Sequence, residues 1–282
     1  MKILVISPSF FPLVGGTEVA IHEISKRLTQ RGHNVTILTP KWPEITDSKT
    51  CEKIDSIQVH RFPVSSRMCR HSVLTRYTDI QLRAFKKIIE LDRNENFDIF
   101  HQFHLFALGG AAVLTKKFLS KPLITTLHGW DTYDPIRPVP NFLYPYLAQV
   151  MNKSDVVTSI SQELAKQARK QGCRKKIKII PIGADVNRFN PHVDGSMERR
   201  MLGIKEDEIM VLSAQRLVAR KRVDCLINAV PIVIKKSPNV NFVICGKGPE
   251  KERLIRLANQ LNVRNNIIFT GFIPDQEIAK FY

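Results

Sequence analysis

Short apolar runs alternate with helix-period patterns from one end of this 282-residue chain to the other, and few folds accept that alternation. Strand-like runs fall at 2–6, 34–39, 57–62, 97–101, 122–127, 155–160 and 177–180, then at 208–214, 240–245 and 266–270. Between them, apolar residues recur at helical spacing near 17–31, 75–93, 106–119, 141–153, 162–171, 222–236 and 249–261. A strand followed by a helix followed by a strand, repeated, is the pattern of a parallel sheet with helical crossovers, so the class is α/β. Residues 182–206 lose the periodicity and mix Gly, Pro and charge, which places a boundary there and two domains at 1–190 and 191–282.

The net charge of +17 points to an anionic partner, because a field of that sign concentrates phosphates, acidic headgroups or acidic glycans at the surface. The basic residues are scattered, without aromatic interleaving or a nucleic-acid module, so nucleic acid is not the expected partner. Five cysteines, odd in number and with no CxxC pair, fit free thiols in a reducing cytoplasm. The apolar start Met1–Ser7 stops at Pro8 and reads as a first strand, not a leader. The run Ile99–Thr115 is too polar to span a bilayer, which leaves a cytoplasmic protein that can lie on a membrane without crossing it. For such contact the candidate is 60–76, where Arg67, Arg70 and Arg76, with His60 and Arg61, interleave with apolar residues. A solvated loop with apolar anchors is the alternative reading of that stretch.

Four crossovers carry chemistry. The run Ile209–Ala214 reads as a buried parallel strand that empties into Arg216 and Lys221 before a helix opens. Ligands of open parallel sheets bind at the carboxyl ends of strands. Two cations beside a helix N-terminus suit a diphosphate, although both could equally be solvated charges. Gly15-Gly16 precede a helix expected to bury Ala20, Ile21, Ile24 and Leu28, and paired glycines there let backbone N–H groups approach an anion. No GxGxxG is present and no acidic residue ends the second strand, which argues against a nicotinamide dehydrogenase. Gly246-Lys247-Gly248-Pro249 ends a strand and opens a helix, with Pro249 suited to the first helical position and the glycines allowing a flat ligand close to the backbone. It is not a Walker loop. His128, at the end of a strand, can hydrogen-bond a ligand or serve as a core histidine. His101 and His104 form an HxxH pair without a third ligand in register, so no metal is expected. Asp275 is the expected cap of a last short helix.

These segments together resemble the retaining glycosyltransferases of family 4, whose fold is GT-B. The resemblance runs through Pro12…Gly15-Gly16-Thr17-Glu18, Thr126-Leu127-His128-Gly129, Ser154-Asp155…Ser159-Ile160-Ser161 and Pro181-Ile182-Gly183-Ala184-Asp185…Phe189-Asn190-Pro191. It continues through Arg216…Lys221, Gly246-Lys247-Gly248-Pro249 and Gly271-Phe272-Ile273-Pro274. It implies two Rossmann-like parallel-sheet domains facing a cleft, a nucleotide-sugar donor, a glycan or lipid-linked acceptor in polysaccharide or glycolipid synthesis, retention, and neither metal nor other cofactor. It assigns Arg216 and Lys221 to the donor diphosphate, Gly15, Gly16, Gly246 and Gly248 to the donor site, and His128 to the reacting centre. Three departures stand out. The family's glycines flanking the Arg–Lys segment are Gln215 and Arg222 here, and the asparagine before Gly183 is Ile182. The family's acidic pair would follow Tyr282, leaving the second domain incomplete. The chain is thus expected to be a fragment of a longer enzyme, or a natural truncation that acts only as a binding module.

Overall fold

The computed structural model describes residues 1–43, 48–64, 73–129 and 140–282, with 73–76 as backbone alone. The chain divides into two units, Met1–Ile182 and Gly183–Tyr282, at the head of the aperiodic segment. The boundary precedes 190/191 because residues just after Ile182 are tied into the second unit. There Arg188 pairs with Asp275 at 2.6 Å and the Phe189 ring meets Tyr282 edge-on at 5.6 Å.

The first unit runs β1 (Lys2–Ile6), α1 (Gly16–Gln30), β2 (Asn34–Lys41), β3 (Cys51–Ile54), β4 (Ile57–Pro63) and α2 (Val73–Glu95). It continues β5 (Ile99–Phe103), α3 (Gly109–Leu119), β6 (Leu123–Leu127), α4 (Tyr144–Lys153), β7 (Val156–Ser159), α5 (Gln162–Lys170) and β8 (Ile177–Ile179). The strands form one sheet in the order β3-β4-β2-β1-β5-β6-β7-β8, parallel except for β3 against β4. The order reverses beside β1, so the β1 and β5 carboxyl ends mark the switch point where such sheets leave a crevice. Both faces of β1 are buried: Leu4 and Ile6 lie in the cluster with α2 and α3, and Ile3 and Val5 in the cluster with Ile21 of α1. Burial on both faces is why these strands read as unbroken apolar runs.

Three local expectations shift. β3 has no apolar run, since Cys51-Glu52-Lys53-Ile54 alternates, and it forms because Asp55 and Ser56 both take positive φ (44° and 68°) in a tight hairpin. β5 starts at Ile99 instead of 97, because Phe97 is an anchor: its N–H donates to Asp92 Oδ1 (2.9 Å) and its ring packs on Phe100. On α1, Ile24 is exposed, and the inward stripe is Ala20, Ile21 and Ser25, with His22 reaching Asp55 at 3.1 Å.

The second unit runs α6 (Ser196–Met201), β9 (Ile209–Ala214), α7 (Val223–Lys236), β10 (Val240–Cys245), α8 (Lys251–Gln260), β11 (Ile267–Gly271) and α9 (Asp275–Ile278). Its sheet is parallel with the order β11-β10-β9. Phe242 and Ile244 of β10 meet Ile227, Val230, Leu254 and Ala258 of α7 and α8. Val243 and Cys245 point the other way, onto Ile204 and Phe281. β9 is not the buried strand that its apolar run suggests. Among the described residues it pairs with β10 alone and is half-exposed along its length, with Ile209 open to solvent, whereas β10 is nearly all buried. Pro274 rather than Asp275 occupies the last helix's cap position, leaving the Asp275 carboxylate to Arg188. Pro249 sits in the turn before α8, not at its first position.

An edge strand has one hydrogen-bonded neighbour and opens with fewer broken bonds. Native-state hydrogen exchange is therefore expected to be faster in 209–214 and 267–271 than in β1 and β5. Equal protection across both sheets would show the second sheet to be no weaker than the first.

Candidate functional site

In the second unit, the loops after β9, β10 and β11 are laced through their backbones. Gln215 N–H donates to Cys245 O and Leu217 N–H to Lys247 O, both at 2.9 Å. Glu250 N–H donates to Leu217 O at 3.1 Å, and Gly246 N–H to Gly271 O at 2.6 Å. This lacing explains two glycines. A Cβ on Gly246 would overlap the Gln215 carbonyl oxygen and lie 2.9 Å from its carbon, at a backbone φ of +143°. A Cβ on Gly248 would overlap the Leu217 carbonyl and lie 2.9 Å from Leu217 Cα. The space expected for a ligand's approach is thus filled by the chain's own loop at both positions.

The Arg216 loop is anchored from inside by Leu217, which is 1% exposed, so Arg216 is presented outward on a fixed stem. Val218 opens a single 3-10 turn, Ala219–Lys221, that sets Lys221 beside the start of α7. Arg222 then adopts the left-handed conformation (φ 52°, ψ 39°) as the helix N-cap. This is where the family glycine is missing, and the backbone keeps the glycine-like conformation regardless. Hydrogen bonding from the Arg222 guanidinium holds the Asp224 carboxyl below its usual range, despite a smaller opposing effect of burial. Arg222 is therefore neutralised locally. Among the described residues, no carboxylate lies within ion-pair distance of Arg216 or Lys221, and both are exposed. The arrangement offers two uncommitted cations and the N-terminal amides of a 14-residue helix to one anion.

In the first unit, the loop from Ser7 to Gly15 leads into α1 and is held from below by two side-chain donors, half-buried Trp42 and buried Arg61. Trp42 Nε1 donates to Pro8 O (2.8 Å), and the Arg61 guanidinium to Phe11 O (2.6 Å) and Lys49 O (2.7 Å). Arg61 also pairs with Glu52 at 2.5 Å and is 2% exposed. It is a strut on β4, not one of the surface cations of 60–76. Its neighbour His60 has a lowered pKa, through burial first and then the charge of Lys87. Arg67 and Arg70 lie outside the described residues, and Arg76 is described only as α2 backbone. At the start of α1 the Glu18 carboxylate accepts from Ser9 Oγ and closes over Gly15, while nothing lies within 4 Å of a Cβ on Gly16. Of the two glycines, the open approach is at Gly16.

His128 follows β6, its ring 5.1 Å from Phe103 and 6.2 Å from His104. Beside it a polar ladder crosses β5, β6 and β7: His101 Nε2 lies 2.8 Å from Thr126 Oγ1, which lies 2.7 Å from Thr158 Oγ1. Burial, with a contribution from His128, pushes the His101 pKa down to about 4. His101 is thus a neutral partner for a threonine. Among the described residues no group of three His, Cys, Asp or Glu side chains is placed to share a metal ion. Sequence reasoning missed Arg61 as a strut, the Ser9–Glu18 closure and the threonine ladder. Only the ladder left a signal, in the same-face alternation of Ile124-Thr125-Thr126 and Val156-Val157-Thr158.

Residues 14–188 match the model of Glycosyltransferase Family 4, and residues 196–282 that of Glycosyl transferases group 1. The chain is 26% identical over 300 aligned positions to an alpha-monoglucosyldiacylglycerol synthase of Streptococcus pneumoniae, covering 100% of this chain and 64% of that protein. It is 26% identical over 282 positions to a GDP-mannose-dependent alpha-(1-6)-phosphatidylinositol monomannoside mannosyltransferase of Mycolicibacterium smegmatis, covering 98% and 68%. The chain thus spans about two thirds of the length of these curated relatives. Among solved structures, Anabaena HepE in complex with UDP matches at a TM-score of 0.73 and 21% identity, covering 100% of this chain and 71% of that one. The sucrose-phosphate synthase of Thermosynechococcus elongatus matches at 0.81 and 18%, covering 100% and 73%.

Two predictions follow from backbone and burial. Gly248→Ala should destabilise the second unit by about 1–3 kcal/mol, the usual cost of overpacking a closed contact. Arg222→Gly should be neutral or stabilise by about 1 kcal/mol, because glycine tolerates the left-handed conformation. Urea midpoints check both, and a harmless Gly248→Ala would contradict the interlock.

A third prediction concerns pH. With a folded pKa of about 4 against 6.5 for the free side chain, His101 binds less proton in the folded state between those values. Its stabilising contribution is full above pH 6.5 and is lost as pH falls towards 4, at about 1.4 kcal/mol per pH unit. His101→Gln should flatten that slope in unfolding measured at pH 7, 6 and 5. An unchanged slope would place the acid sensitivity elsewhere.

Proposed function

The chain belongs to glycosyltransferase family 4, and on that premise we propose that it serves transfer of a sugar from a nucleotide-sugar donor to a glycan or lipid-linked acceptor, with retention of configuration. Its setting would be glycolipid or polysaccharide synthesis on the cytoplasmic side of a membrane. The observation that carries the proposal is the laced loop of the second unit, which presents Arg216, Lys221 and the α7 N-terminus as a set. Negative charge on the departing diphosphate grows as the glycosidic bond to the donor breaks, so fixed cations and amides bind the transition state better than the ground state. In this reading Arg216 forks onto diphosphate oxygens, Lys221 adds a point charge, and no metal is required. Gly246 and Gly248 act indirectly, by letting the Arg216 loop seat where it does. Gly16, open at the start of α1, supplies backbone N–H groups to the donor, and His128 serves the reacting centre.

A lipid-linked acceptor is favoured by the two bacterial relatives, one a synthase of alpha-monoglucosyldiacylglycerol and the other a mannosyltransferase of phosphatidylinositol monomannoside. Among the described residues no helix is long and apolar enough to cross a membrane.

Replacing either cation should lower kcat far more than it raises donor KM. The expected loss is roughly 2–4 kcal/mol of transition-state stabilisation, about thirty- to a thousand-fold in rate. Steady-state kinetics of Arg216→Ala and Lys221→Ala against a panel of nucleotide sugars measures this, with Arg220→Ala as the control on the same loop. Three equal, small effects would reduce the pair to ordinary surface charge.

A further inference from the structure

α2 and α3 lie side by side on one face of the first unit's sheet, burying Ile80, Ala84 and Ile88 from one helix and Ala111 and Ala112 from the other. Their outer surface is where an amphipathic helix should be polar. Instead it carries Leu82, Leu114 and Phe118, exposed at 60%, 59% and 65%. Half-buried Phe85 and Ile89 continue the stripe along α2, and the Phe85 and Phe118 rings meet edge-on at 6.2 Å. The spacings Leu82–Phe85–Ile89 and Leu114–Phe118 are those of one helix side, so the five side chains make a single apolar ridge.

The rim of that ridge is cationic. Lys86 and Arg93 on α2 and Lys117 on α3 are exposed, and among the described residues none has a carboxylate at ion-pair distance. Nearby Arg83, Lys87 and Lys121 are paired with Asp79, Glu90 and Asp92. Two copies meeting through this face would bring the same unpaired cations together, which opposes self-association. Protruding rings within a ring of cations match a headgroup layer, where apolar side chains reach the acyl boundary while Lys and Arg meet phosphates.

We propose that the α2–α3 face docks the protein on an anionic phospholipid surface, with Leu82, Leu114 and Phe118 inserting and Lys86, Arg93 and Lys117 contacting headgroup phosphates. The proposal deepens the reading of a lipid-linked acceptor, because it names the surface by which such an acceptor would be met, but it is tested without any transfer reaction.

The test is co-sedimentation with phosphatidylcholine vesicles and with vesicles that also contain phosphatidylglycerol. The protein should bind the anionic vesicles, and added salt should weaken the binding. Leu114→Ser with Phe118→Ser should lower vesicle affinity at least about tenfold, as the loss of two inserted apolar side chains requires. Lys86→Ser, Arg93→Ser and Lys117→Ser should each lower it roughly fivefold. Met197→Ser with Met201→Ser, exposed apolar residues of the second unit, should leave it unchanged. Unaltered thermal midpoints would show that the variants fold. Absence of vesicle binding by the wild type overturns the proposal, as does binding that ignores the Leu114/Phe118 pair. A dimer that the same pair dissociates, without vesicle binding, would make the face a contact between copies. Loss of transfer activity with vesicle binding intact would count against the enzymatic reading alone.

Discussion

Two backbone carbonyls, those of Gln215 and Leu217, occupy the space that Gly246 and Gly248 leave open, and the second unit's candidate site depends on that contact. It sets the height of the Arg216 loop above the sheet through the paired hydrogen bonds from Gln215 to Cys245 and from Leu217 to Lys247. Each such bond contributes only about 0.5–1.5 kcal/mol net, so geometry matters more here than bond strength. With Leu217 buried and the loop closed on both sides, Arg216 has its backbone fixed before any ligand arrives. Preorganised charge of this kind does not have to be rearranged as the reaction proceeds, which is the condition under which electrostatic stabilisation is large.

The first unit positions its loop differently. The β1–α1 loop is held through its carbonyls by two donors, Trp42 just after β2 on Pro8 and Arg61 of β4 on Phe11. A buried guanidinium with three acceptors is a stiff support, and removing it would strand Glu52 without its partner. The Glu18 carboxylate at the start of α1 further shapes what an anion would meet there. Gly16 rather than Gly15 is then the point of open approach.

Much of this was legible from residue order. Strands buried on both faces announce themselves as continuous apolar runs, so β1 and β10 coincide with the expected spans, and the parallel two-sheet class follows from strand–helix alternation. The elements that hide have physical reasons for doing so. β3 exists through its turn and its pairing with β4, not through its own side chains. β9 looks like a core strand in sequence because apolar content does not say how many neighbours a strand has. At the site, Arg216 and Lys221 could be picked out by their position after a strand, but the reason for the two glycines could not. A glycine needed by a ligand and a glycine needed by a neighbouring loop look identical in sequence. Arg222 carries a related lesson, since its left-handed backbone shows that the loop keeps its shape even where the family glycine is replaced.

The central claim is that the β9–α7 crossover is a diphosphate site built before ligand binds. Titration of the protein with inorganic pyrophosphate, followed through backbone amide shifts, tests it most directly. The account predicts that amides of 215–222 and of Gly246 to Gly248 shift together along one saturable curve, because the two loops are locked to each other. Shifts scattered over the basic surface with none in 215–222, or movement of one loop without the other, would contradict it.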